Sequence, residues 1–320
     1  LISMIASLFS ESSESIQKYI QALNSQMFVR NHFQGKMQFL PSFIAGILKN
    51  SGIYKSGKDS EKYVEEYFDK DFFTKTTSPE IWNLTYNVEK ELGTLNCTKS
   101  SSGSILSSYL DANDLIDFGI GEINYRGGDT ELIAKDVAAS ASIPGIRQPV
   151  KIGSYSYKDG GLSRGSPASY FNEAIQAMRN AGSHSGAFHV CYVLGSKLKS
   201  LEINPDDEIS IQRHWIKELA DDVTHLTTSS VYADKQSTFE NWLRAISKRR
   251  SQCTKEVLEG VTVKSLKSKF DDLDAKHYFM TFYTTKNIRV NITNFGSNEI
   301  RKKFEEAFDD VNVEIFYVDV

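Results

Sequence analysis

Residues 141–167, "ASIPGIRQPVKIGSYSYKDGGLSRGSP", constrain this chain more tightly than any other stretch. Pro144–Gly145 breaks whatever precedes it. The runs "PVKI" and "SYSYK" then read as two short strands with Gly153 at the turn between them. Asp159-Gly160-Gly161 follows at once, and Ser166-Pro167 carries the residues that open a helix: an N-cap hydroxyl, then proline at the first helical position. A hairpin that ends in Asp-Gly-Gly and runs into a helix must belong to a fold that interleaves strands and helices.

The rest of the chain agrees. "EIWNLTYNVEK" (80–90) alternates as a strand with Trp82, Leu84, Tyr86 and Val88 on one face. "ELIAKDVAASASI" (131–143) reads as an Ala- and Ser-rich helix, and "TKSSSGSIL" (98–106) as a loop. "SPASYFNEAIQAMRNAG" (166–182) is a helix closed by Gly182. "AFHVCYVLG" (187–195) is an apolar run bounded by glycines, the pattern of a buried central strand, with His189 as a core histidine. Helical spacing is expected at 13–28, 39–54, 59–73 and 208–250. The C-terminus reads strand, strand, helix, strand: "HYFMTFYTT", "NIRVNITNF", "NEIRKKFEEAFDD", "NVEIFYVDV". The sum is an α/β protein.

Composition removes several classes of function. A net charge of −4, with no gathered basic tract, gives no reason to invoke nucleic acid. The densest basic cluster, "SKRRSQCTK" (247–255), reads as a solvated helix end. Cys97, Cys191 and Cys253 are isolated and odd in number, which speaks against a disulfide framework or a zinc site and fits a reducing, cytoplasmic compartment. The six histidines show no ligand spacing. No cofactor and no metal is expected, and Gly127–Gly128 reads as a plain turn. Sequons at Asn83, Asn96 and Asn291 carry no meaning in such a compartment. No apolar run approaches the roughly 20 residues that span a bilayer.

Two signals in residues 159–165 compete for a catalytic role. "GLSRG" matches G-x-S-x-G formally. A nucleophile elbow, however, needs a buried strand before its serine and a helix directly after. Ser163 follows an Asp-Gly-Gly turn, and its helix starts only at Ser166–Pro167. Asp159 stands better placed. Two glycines after it permit positive φ and close backbone approach, so its carboxylate can be held at a sharp bend and take a proton from a serine. Asp-Gly alone is also a common hairpin turn.

The combination decides. Small residues 139–142, Ile143-Pro144-Gly145, the strand "PVKI", a tyrosine-bearing turn, "KDGGL" and Pro167 together resemble the patatin-like phospholipase family. One departure is Gly165, where the family often has Asn two residues before the proline. "SGIYKSGKDSEKYVEEYF" looks like the family's helical region, "EIWNLTYNVEK" like the strand after it, and "FHVCYVLG" like the strand beyond the Asp-Gly-Gly helix. The resemblance spans roughly residues 1–196.

It implies a three-layer α/β sandwich with a central, mostly parallel sheet. It also implies a Ser-Asp dyad in which Asp159 of the motif Asp159-Gly160-Gly161 is the base and Ser163 is a bystander. "LISMIASLF" looks like the helix that follows the family's elbow. It has no N-cap before Leu1, so the strand, elbow serine and oxyanion loop are expected upstream of this chain. On that reading residues 1–196 are the core without its nucleophile segment, inactive alone, and 197–320 are a helical and α/β extension packed on it. The implied activity is lipid acyl hydrolysis, on a lipid or membrane-surface substrate, by a cytoplasmic protein peripheral to membranes. The alternative is a non-catalytic lipid-binding or interaction protein of the same family.

Overall fold

The computed structural model describes residues 72–75, 78–116, 119–142, 148–163, 167–183, 186–193, 235–246, 252–261, 263–284 and 311–320. The helices expected at 1–9, 13–28 and 39–54, and all but the end of that at 59–73, lie outside these residues. So do Ile143–Gly145, the Ser166 cap, most of 208–250, and the strand and helix expected at 287–310. Two compact units divide the chain, with the boundary after Ile175.

The first unit is built on a five-stranded sheet: β1 (Trp82–Asn87), β2 (Leu92–Cys97), β3 (Ile120–Tyr125), β4 (Val150–Ile152) and β5 (Tyr155–Asp159), in the order β3-β2-β1-β5-β4. β1 and β2 form a hairpin in which Leu84 faces Leu95 and Trp82 faces Cys97. β4 and β5 form the expected hairpin across Gly153, whose φ of 60° suits a residue without Cβ. Only β2 and β3 run parallel, joined through the short helix α1 (Ala112–Leu115). The mixed α/β class holds, but the sheet is not mostly parallel. Three of its four pairings are antiparallel: β1–β2 and β4–β5 are tight hairpins, and β5 also returns antiparallel to β1.

Its two faces differ chemically. Period-two alternation, with a register shift between β2 and β3 at Gly93/Thr94 that brings Ile120 and Ile123 to the same side, puts Trp82, Leu84, Leu95, Ile120 and Ile123 on one face, closed by Leu115 and by Phe171 of the helix α3 (Pro167–Asn180). The other face carries Thr85, Asn87, Thr94 and Asn96, all almost fully buried. The helix α2 (Thr130–Ser140) covers this side. Asp129 caps it by accepting the Leu132 N–H, and Ala138 and Ala139 pack on Val150, Ile152 and Tyr157. Small residues on α2, Ala138 and Ala139, let the helix approach the sheet closely.

Burying a polar face requires partners. Asn96 Nδ2 donates to Thr85 Oγ1 at 3.0 Å, and Asn124 Nδ2 donates to Asn96 Oδ1 at 3.2 Å. Arg126 Nη2 donates to the same Asn96 oxygen at 3.1 Å. Arg126 then closes on Asp136 of α2 with two bonds, at 2.6 and 2.7 Å. Burial pushes the Asp136 carboxyl up, and the guanidinium pulls it back toward the ionised form. The loop at 98–106 is pinned by Glu80, which accepts Ser104 Oγ and the Ile105 N–H.

The second unit holds β6 (His189–Val193), β7 (Thr254–Leu258), β8 (Lys276–Thr284) and β9 (Val311–Asp319) in the order β6-β8-β9-β7. The helix α4 (235–245) lays Phe239 and Trp242 against Phe279 and Phe316 on one face. The other face, with Met280, Val313 and Ile315, receives Leu266, Phe270 and Leu273 of the helix α5 (Val263–Leu273).

Three expectations fail in this unit. "AFHVCYVLG" is not a buried central strand: among the described residues β6 is an edge strand paired only to β8, with alternate residues exposed and Val193 61% accessible. The C-terminal strands β8 and β9 share with β6 a sheet separate from that of the first unit. His189 is exposed, stacked on Tyr278; among the described residues the buried histidine is His277, whose Nδ1 accepts the Phe188 N–H at 2.9 Å. Residues 254–255 of the basic cluster are strand rather than helix end.

Candidate active site

β5 delivers Asp159 to the site. It is the last residue of the strand, opposite Thr85 of β1, and its own N–H donates to Ser142 O at 3.1 Å. The backbone then tightens into a single 3-10 turn, Gly160–Leu162. The Asp159 carboxylate caps that turn by accepting the Gly161 N–H at 2.8 Å. This is its one bond among the described residues, so most of its acceptor capacity stays open. Partial burial raises its pKa above the ordinary carboxylate value, and the Gly161 N–H offsets part of the rise.

The glycines work by space, not by φ. Neither Gly160 nor Gly161 has a positive φ, which corrects half of the sequence argument. Gly160 lies over β1 so closely that a Cβ would sit 2.3 Å from Leu84 O and 2.6 Å from its carbonyl carbon. Those are backbone atoms and cannot swing aside. A Cβ on Gly161 would stand 3.0 Å from Asp159 Oδ1, pressing on the carboxylate itself. The motif therefore packs a turn flat on the sheet and leaves one side of the aspartate clear.

Ser163 follows the turn with φ −75° and ψ 154°, an extended conformation. A serine elbow is strained and aims its hydroxyl outward; this hydroxyl donates back to Gly160 O at 2.7 Å. Its Cβ instead faces Gly93 on β2, where a Cβ would stand 3.0 Å from it and the neighbours would have to give way. Sequence reasoning missed what surrounds it. Tyr86, Glu91, Leu92, Ile116, Gly119, Leu162 and Ser163 line a pocket of about 330 Å³ beside the turn. The readable signal was Glu91, a charged residue one step before Leu92 in a tight connection between alternating runs.

Gly127 and Gly128 form the expected plain turn, with φ of 61° and 85°. Among the described residues no cluster of His, Cys, Asp and Glu has the grouping of a metal site, and no helix is long and apolar enough to cross a membrane.

Comparison with known proteins gives one match. No curated protein and no solved structure matches the chain. The family model described as "Patatin-like phospholipase" matches residues 3–172. The match covers more than half of the chain and takes in β1 to β5, α2, the Asp-Gly-Gly turn and the start of α3. The chain belongs to the patatin-like phospholipase family.

Proposed function

We propose that this protein is a lipid acyl hydrolase working through a Ser-Asp dyad, with Asp159 as the base and the serine outside residues 1–320. The observation that carries the reading is the state of Asp159: a strand-end carboxylate that, among the described residues, is oriented by one backbone N–H and opposed by no cation, with an oxygen open to a donor. A general base is most effective when its pKa approaches the working pH, and partial burial moves Asp159 in that direction. Attack by the serine oxygen on an ester carbonyl would pass the serine proton to Asp159. The same proton then leaves with the alcohol as the tetrahedral adduct collapses to an acyl-serine. Water repeats the exchange and frees the fatty acid.

Membership of the family supports the substrate class. The conformation of Ser163 and its bond to Gly160 O support placing the nucleophile elsewhere. On this reading residues 1–196 form the core without its nucleophile segment and 197–320 form the extension, in a cytoplasmic protein that meets membranes peripherally.

The test is covalent labelling with a fluorophosphonate, which marks activated serines. The protein made with its upstream sequence should be labelled at one serine before Leu1, with Ser163→Ala labelled as strongly as the parent. Residues 1–320 alone should stay unlabelled and hydrolyse no ester. Labelling at Ser163 would overturn the assignment.

A further inference from the structure

The helix α2 ends against the strand that carries Asp159, and Ser142 is the residue where the two meet. We propose that Ser142 is a positioning residue for the base: its hydroxyl pins the chain at the end of α2, so that its carbonyl holds the Asp159 backbone in place. The inference rests on the Ser-Asp dyad reading above.

The starting point is where the β4–β5 ladder stops. β4 pairs with β5 from Val150–Tyr157 to Ile152–Tyr155, which leaves Asp159 beyond its reach. β1 flanks β5 on its other side, with Thr85 opposite Asp159. The Asp159 N–H donates to Ser142 O at 3.1 Å. The chain just past α2 therefore supplies the acceptor where β4 has ended. The Gly161 N–H orients the carboxylate, and Ser142 O holds the main chain from which that carboxylate hangs.

A carbonyl fixes its partner only as well as it is itself fixed. Every residue has a carbonyl, so the specific element here is the Ser142 side chain. Its Oγ donates to Ala138 O at 2.8 Å, and its N–H donates to Ala139 O at 2.9 Å. Ala138 O also receives the Ala141 N–H, at a longer 3.3 Å, so the hydroxyl makes the tighter closure of the last turn. Serine commonly bonds back to the carbonyl four residues earlier, and here it does so at 0% exposure, with no water competing for the bond. The helix behind it is seated twice over. Arg126 grips Asp136, and Ala138 and Ala139 pack on Val150, Ile152 and Tyr157. The hydroxyl thus transmits a fixed helix position to Asp159. Proton transfer needs a donor within about 2.6–3.2 Å, and a misplacement of about 1 Å costs on the order of 10²-fold in rate.

The test is Ser142→Ala in the protein made with its upstream sequence, since alanine keeps the carbonyl and removes the pin. Ser104→Ala runs beside it, because it deletes another buried serine hydroxyl, the one that donates to Glu80. In Ser142→Ala, kcat for ester hydrolysis should fall about 10-fold with KM within about two-fold of the parent. Amide hydrogen exchange at Asp159 should quicken about 10-fold in the same variant. Ser104→Ala should lower the thermal midpoint yet keep the parental kcat and the parental exchange at Asp159. Parental kcat in Ser142→Ala, where Asp159→Asn has lost activity, would overturn the positioning role and leave the dyad standing. Equal kcat losses in the two serine variants would overturn it as well, since activity would then follow stability alone. An Asp159→Asn variant as active as the parent would instead remove the dyad, and this inference with it.

Discussion

Asp159 stands opposite Thr85 in the β1–β5 ladder, and Gly160 next to it lies on the Leu84 carbonyl with no room for a methyl group. The turn after the aspartate is therefore located by a steric contact between a glycine and the neighbouring strand, not by a network of side chains.

Gly160→Ala should accordingly be the most damaging single-methyl change near the site. Its Cβ meets fixed backbone, so the turn must lift off β1, with a loss at or above the top of the usual overpacking range of about 1–3 kcal/mol. Urea denaturation measures it. Gly161→Ala meets only the Asp159 carboxylate and should cost much less stability. Near-parental stability in Gly160→Ala would mean that the turn is not seated as described.

The buried Arg126–Asp136 pair makes a second prediction. The Asp136 side chain is 1% exposed and that of Arg126 12%. Removing one partner strands the other charge, so Arg126→Met should cost about 3–5 kcal/mol. The double variant Arg126→Met, Asp136→Leu should recover part of that loss. Additive losses in the double variant would show that the two side chains do not act as a pair.

Much of this arrangement was legible in the sequence, and the failures have one cause. The β4–β5 hairpin, α2, α3 and β1 were marked by turn glycines, helix caps and simple periodicity. β2, "LGTLNC", and β3, "IGEINY", were passed over because their alternate residues are Thr94, Asn96, Glu122 and Asn124, which read as solvent-facing. Thr94 and Asn96 are buried beneath α2, where Arg126, just after β3, donates to Asn96 and pairs with Asp136 of the helix. Such partnership across the fold leaves no local signal. β6 failed in the opposite sense: an apolar run looked central, yet its alternate residues stand exposed at an edge. The Asp-Gly-Gly motif was found for the right residues, but the need for glycine at Gly160 lies in Leu84, far away in sequence.

The pH dependence of stability follows from Asp159. Its folded pKa lies above the ordinary 3.8 because burial disfavours the charge. A raised folded pKa contributes stability that is present below the unfolded value and lost as pH rises through the folded one. Asp159→Asn keeps an oxygen for the Gly161 N–H and never ionises. The parent and this variant should therefore be similarly stable below pH 3.8, and the parent should fall behind as pH rises. Denaturation midpoints between pH 3 and 7 give the comparison. A parent more stable than the variant at neutral pH would show that the charge is held favourably.

The most direct measurement of the central claim combines activity and stability on Asp159→Asn, in the protein made with its upstream sequence. Ester hydrolysis should fall about 10²–10⁴-fold, the usual contribution of a positioned general base, while the thermal midpoint stays level or rises. Hydrolysis within a few-fold of the parent, together with a lowered midpoint, would contradict the account and leave Asp159 as a turn residue.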